Sequence, residues 1–201
     1  MGKPIDIVVW SGGLDSTLVL DRLCSSGKEV WAFSVIWDMI DGLKTKQERI
    51  ARKNYLKFAK EKGYIISYRE VFIRANMGAD HLGCAQALAW LSFLTSYLPE
   101  KSNLYFGYHK GDEFWGSISF LKHFIKYVCI LGERKVKVLY PLQYLRKHNI
   151  LREIKECRIP LSCVWTCEHP ISRRGKVICC GKCGPCITLR TATCKFNNYK
   201  S

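Results

Sequence analysis

Apolar positions along this chain fall into short runs, and the segments between them repeat with a helical period. Residues 5–10, IDIVVW, form an apolar run stopped by Ser11-Gly12-Gly13, which predicts a buried strand ending in a glycine turn. A helix is predicted over 16–24 and closed by Gly27. Residues 29–37 read as a second strand. A long helix is predicted over 44–62, where Ala51, Tyr55, Phe58 and Ala59 recur at helical spacing before Gly63. A third strand is expected over 64–71, and a buried helix over 85–98 ended by Pro99. Then come a strand over 103–107, a helix over 117–130, a fifth strand over 135–140 and a helix over 145–157. This alternation implies a Rossmann-like α/β fold, a five-stranded parallel sheet with helices on both faces. After Pro160 the alternation stops. The expected organisation is a main unit over 1–160 and a small appendage over 161–201 packed on it.

A length of 201 residues suits one sizeable core, and a composition 48% hydrophobic and 24% charged suits a soluble globule. No apolar run approaches a membrane span. The N-terminal run is too soon interrupted by Asp6 for a secretory signal, so the expected compartment is the cytosol. Of 11 cysteines, eight fall between Cys157 and Cys194, and in a reducing compartment such a cluster points to metal rather than disulfides. The formal charge is +15, and from His169 onward there are seven Lys or Arg and no Asp or Glu. That favours polyanions such as nucleotides and nucleic acid, with a merely solvated surface as the plain alternative.

Two segments carry chemistry. Ser11-Gly12-Gly13-Leu14-Asp15-Ser16 lies between the first strand and the first helix, where parallel α/β sheets bind ligands. Its glycines let backbone N–H groups approach an anion, and the following helix aims its free N–H groups at the same point. Ser11 and Ser16 offer hydroxyls, and Asp15 could hold a Mg²⁺ that bridges phosphates. Neither a Walker loop nor a dinucleotide G-x-G-x-x-G is present. The second segment is Cys180-x₂-Cys183-x₂-Cys186, whose glycines at 181 and 184 allow tight turns that point thiols inward. Tetrahedral zinc needs a fourth ligand. Cys167 is the natural one, with His169 and Cys179 as competitors, and the site would be structural.

The loop resembles the S-G-G-x-D-S PP-loop of ATP-pyrophosphatases, which cleave ATP between the α and β phosphates. Together with Cys…Cys-Gly-x-Cys-x₂-Cys it resembles the 7-cyano-7-deazaguanine synthase family. Residues 141–150, PLQYLRKHNI, and Val164-Trp165-Thr166-Cys167 are similar to segments of that family, as is the Ile187-Thr188-Leu189-Arg190 tail. The resemblance implies ATP, Mg²⁺ and Zn²⁺ as cofactors. It implies Asp15 and Lys147 as catalytic residues, with residues 11–16 and Lys147 on the phosphates; a solvated helix lysine is the alternative for Lys147.

The implied reaction joins ammonia to 7-carboxy-7-deazaguanine through adenylated intermediates, giving the amide and then the nitrile of queuosine biosynthesis. The middle of the chain departs from the family. Gly83-Cys84-Ala85-Gln86 and residues 107–116, GYHKGDEFWG, stand where the family handles the deazaguanine. His109, Asp112 and Trp115 could still line a purine-like pocket, while Asp38 and Asp41 are assigned only to a loop. The alternative acceptor is a nucleic-acid-borne base or a protein terminus. Expected partners are therefore the small deazapurine and ammonia, with nucleic acid contact through the basic surface and a homodimer both open.

Overall fold

The computed structural model describes residues 3–37, 42–73 and 94–198. The first apolar run becomes β1 (Ile5–Val9), followed by α1 (Leu14–Ser25), β2 (Val30–Trp37), α2 (Gly42–Glu61) and β3 (Ile66–Ile73). The chain resumes with β4 (Lys101–Tyr105), α3 (Ile118–Leu131), β5 (Lys135–Leu139) and α4 (Lys147–Glu156). Most of the helix expected over 85–98 lies outside the described residues, of which 94–96 are helical. Asp38, Asp41 and the 83–86 stretch also lie outside them.

The five strands form a single parallel sheet in the order β3-β2-β1-β4-β5. Successive side chains of β1 leave on opposite faces. Val8 joins a core built with α1, α2 and α4, including Leu18, Tyr55, Ile150 and Ile154. Ile7 joins Phe33, Leu104, Leu121 and Ile125 under α3. Both faces are covered, which is why β1 and β2 read as near-continuous apolar runs, whereas the edge strands β3 and β5 keep charged positions. On α2 the buried stripe is Ala51, Tyr55 and Ala59, with one charged member, Arg52. Because β2 and β4 flank β1 on opposite sides, the chain diverges there. The carboxyl ends of β1 and β4 frame the crevice that such sheets use for ligands.

The C-terminal segment holds more regular structure than its sequence suggests. An antiparallel hairpin joins β6 (Ile171–Arg173) to β7 (Lys176–Ile178), and α5 (Gly184–Asn198) follows. Arg174 and Gly175, at φ of 50° and 73°, make the two-residue turn. Three-residue strands are too short to show a period. Ile187, Thr188, Thr191 and Thr193 lower the helical propensity of α5 and conceal it, although Pro185 in its first turn is a start signal. Leu189 of α5 packs on the first core, so the segment is bound to the main unit.

Candidate functional site

A cleft of about 340 Å³ opens at the carboxyl ends of β1, β2 and β4, within the range of small-ligand sites. Its floor is residues 11–16. Gly12 has φ of 88°, which a side chain would strain. Its carbonyl accepts from the backbone N–H of Trp165 at 2.9 Å, and the carbonyl of Ser11 accepts from Arg52 Nη1 at 2.6 Å. The hydroxyls of Ser11 and Ser16 are 3.0 Å apart, and Ser11 Oγ accepts from the N–H of Gly13 at 3.1 Å. The first-turn N–H groups of α1 have no intrahelical acceptor and face the cleft with the positive end of the helix dipole. Gly107, just past β4, lies so close that a Cβ there would stand 2.7 Å from the backbone N of Ser16.

Asp15 and Lys147, far apart in sequence, meet here: Lys147 Nζ donates to Asp15 Oδ2 at 2.5 Å. Lys147 opens α4, where the helix dipole disfavours a cation, and the Asp15 carboxylate offsets that cost. The other carboxylate oxygen, Asp15 Oδ1, is buried without a hydrogen-bond partner among the described residues. One oxygen or nitrogen of each of Asp15, His109 and Asp112 lies within 4.8 Å of the others. Burial, with the neighbouring Asp15 charge, raises the Asp112 pKa above the usual carboxylate range, although the backbone N–H of His109 opposes this. Gly111 N–H donates to His109 Nδ1 at 3.0 Å, which leaves the ring proton to Nε2; Nε2 lies 3.1 Å from Asp112 Oδ1 yet is buried without a hydrogen-bond partner among the described residues. The two carboxylates, hard oxygen ligands with an orphaned oxygen between them, fit a Mg²⁺ ion.

Asp112 lines the cleft, whereas His109 is buried behind it. Trp115 stands apart from the lining: it sits in the 3₁₀ turn Glu113–Ser117 with its ring edge-on to Tyr140, 6.0 Å between centroids. Phe106 and Tyr108 line the cleft instead. The opposite wall comes from Lys44, Glu48 and Arg52, one stripe of α2 at four-residue spacing. Arg52 is 1% exposed, and its charge is satisfied by Ser11 O, by Tyr68 Oη at 2.9 Å and by Glu70 at 3.4 Å. Sequence reading passed over this stripe because it sits inside a helix read only for its apolar positions. The i, i+4, i+8 spacing of charged residues beside the buried stripe was the available signal.

Beside the cleft, Cys167, Cys180, Cys183 and Cys186 bring their sulfurs within 4.8 Å of one another and could bind a metal. Cys179 is exposed and outside this group. Cys183 Sγ and Cys167 Sγ are 4.0 Å apart, near the roughly 3.8 Å edge of a tetrahedron with Zn–S bonds of about 2.3 Å. The backbone N–H groups of Lys182 and Cys183 draw the Cys180 thiol down to about 6, while burial pushes those of Cys167 and Cys186 up. The lowering at Cys180 comes from backbone N–H groups rather than from basic side chains; Arg173, Arg174 and Lys176 are exposed on the hairpin.

A parallel sheet of this order, with S-G-G-L-D-S at the turn after its first strand, is the architecture of the PP-loop proteins. Residues 101–197 match the family model described as queuosine biosynthesis protein QueC. Over those residues, just under half of the chain, it is similar to QueC, and the S-G-G-L-D-S turn that precedes them resembles a PP-loop. No curated protein sequence matches it.

Among solved structures, it is similar to one from Methanocaldococcus jannaschii described as a predicted subunit of tRNA methyltransferase. The identity there is 16%, with 76% of this chain and 75% of that chain covered, at a TM-score of 0.50. It is also similar to the U34-tRNA thiolase NcsA from Methanococcus maripaludis with its [4Fe-4S] cluster. That match has 16% identity, 99% of this chain, 67% of that chain and a TM-score of 0.53. At such identity the likeness is one of fold. Among the described residues, no helix is long and apolar enough to cross a membrane.

Proposed function

We propose that this protein is an ATP-pyrophosphatase that adenylates an oxygen of 7-carboxy-7-deazaguanine and exchanges it for ammonia nitrogen, in the manner of the 7-cyano-7-deazaguanine synthases. The observation that carries the reading is the convergence of residues 11–16, Asp15, Asp112 and Lys147 on one cleft at the switch point of the sheet. The family match to QueC supports the substrate class. In this reading the triphosphate lies on the loop, with the first-turn N–H groups of α1 and the Ser11 and Ser16 hydroxyls on its oxygens. Asp15 and Asp112 would hold Mg²⁺, which when bound offsets charge on the phosphates. Lys147 turns from Asp15 to the departing pyrophosphate. The apolar end of the cleft at Val9, Val35 and Ile36 takes the adenine, and the Phe106–Tyr108–Asp112 side takes the acceptor.

A carboxylate oxygen of the acceptor attacks the α-phosphorus, and pyrophosphate leaves. Ammonia attacks the acyl carbon, AMP leaves with that oxygen, and the added nitrogen gives up one proton, leaving the amide. The amide oxygen attacks a second ATP in the same way, and loss of AMP with that oxygen and of both amide N–H protons gives the nitrile. The four thiols suit one Zn²⁺ ion, because a cluster distributes its thiolates over separate irons and holds them farther apart than a single shared centre does. The protein works in the cytosol, where free thiols persist.

The acid-free basic surface after residue 168 favours a second reading, in which the acceptor base is carried on a nucleic acid. The solved structures of similar fold, described as tRNA-acting, agree with it. Mass spectrometry of incubations with ATP, ammonia and the carboxylate, either free or within an oligonucleotide, separates the two. The first reading expects amide or nitrile from the free base together with AMP. Product only from the oligonucleotide overturns it in favour of the second.

A further inference from the structure

Peptide planarity ties the direction of each N–H in the phosphate loop to the carbonyl on its other side. Arg52 holds the carbonyl of Ser11 and so sets the N–H of Gly12. The carbonyl of Gly12, which sets the N–H of Gly13, is held by the backbone N–H of Trp165. Trp165 is two residues before Cys167, and its indole N–H donates to the carbonyl of Cys167 at 3.0 Å. Residues 165–167 are therefore a short unit with one end on the loop and the other at the thiol cluster. The two segments pack against each other: a Cβ on Gly13 would be in van der Waals contact, 3.6 Å, with the Trp165 carbonyl oxygen. Thr166 and Glu168, on either side of Cys167, and Pro185, just before Cys186, line the cleft themselves. Glu168 is further fixed by Lys44 of α2, 2.5 Å away.

From this geometry we infer that the four-thiol centre is a positioning element of the nucleotide site, acting through Trp165 on the Gly12–Gly13 peptide. A metal on the thiols fixes 165–168 and 185; without it, one wall of the cleft and one anchor of the loop lose their hold. Trp165 is thus a positioning residue, and metal occupancy sets nucleotide affinity. The inference rests on the nucleotide reading above.

The test is calorimetric titration of ATP, without acceptor, into full-length protein. Four samples are compared: zinc-loaded and chelator-stripped wild type, and Trp165→Ala in both states. Amide hydrogen exchange over residues 12–16 is read in parallel, with zinc content per chain. Stripping should weaken ATP binding by about tenfold and speed exchange in the loop. Trp165→Ala should keep its zinc yet bind ATP more weakly by a similar factor, and stripping that variant should add little. Unchanged ATP affinity on stripping, or two losses that simply multiply, overturns the inference. If stripping unfolds the whole chain by circular dichroism, the zinc-loaded variant decides, and wild-type affinity in it overturns the inference. Absence of ATP binding by zinc-loaded wild type would instead overturn the nucleotide reading itself.

Discussion

Gly107 shows how tightly single residues define the cleft. It carries β4 past the start of α1, where even one methyl group would press on the Ser16 amide. Gly107→Ala should cost about 1–3 kcal/mol of stability through overpacking. If the nucleotide reading holds, it should also lower kcat/KM for ATP by about tenfold to a hundredfold by displacing the loop. Gly116→Ala, whose Cβ would meet nothing within 4 Å, is the control and should change neither. Denaturant unfolding and steady-state kinetics of the two variants check this; equal behaviour would contradict the close-approach argument. At this scale the loop was legible in the sequence, because its residues are contiguous and their roles are local. The partners that hold it were not. Arg52, Gly107 and Trp165 reach it across 41, about 90 and about 150 positions, and no pattern along the chain records such contacts.

Among the elements, α2 does two tasks. Its apolar stripe builds the first core, and its charged stripe faces the cleft and ties β3 to the loop. Glu70 of β3 is the counter-charge: Arg49 is 2.5 Å away, Arg52 3.4 Å, and Tyr68 donates at 2.7 Å. Burial alone would raise the Glu70 pKa, but those partners outweigh it and hold the folded value below its ordinary 4.5. A depressed carboxylate stabilises the folded state fully above its ordinary value and loses that contribution as pH falls through the folded one. Unfolding free energy should therefore decline as pH drops below about 4.5, and Glu70→Gln should flatten part of that decline. Asp6, held low by Lys28, Asn103 and Tyr105 against burial, accounts for acid sensitivity that persists in the variant. Denaturant melts between pH 3 and 7 measure both, and equal slopes for wild type and variant would refute the assignment. The alternating elements could be read from the sequence because each buries a long apolar face. The hairpin and α5 could not, since thiol packing and contact with the main unit override weak local propensity there.

The molecule as a whole divides its charge unevenly. Ion pairs occupy basic residues around the cleft, among them Lys44, Arg52 and Lys147, while Arg173, Arg174 and Lys176 project from an exposed hairpin. If an acceptor is carried on nucleic acid, its binding should weaken with salt at a log–log slope of roughly −0.7 to −0.9 per phosphate contacted. Replacing the three hairpin residues together should flatten that slope and leave ATP affinity unchanged. A slope unaffected by the triple variant would remove the hairpin from any such surface. Whether the cleft transfers AMP to an acceptor oxygen is measured most directly by oxygen tracing. The protein is incubated with ATP, ammonia and 7-carboxy-7-deazaguanine labelled with ¹⁸O in its carboxylate, and the nucleotide product is weighed by mass spectrometry. Transfer of AMP to the acceptor oxygen should give AMP carrying one ¹⁸O, formed with pyrophosphate and abolished by Asp15→Ala; ADP, or AMP without the label, would contradict it.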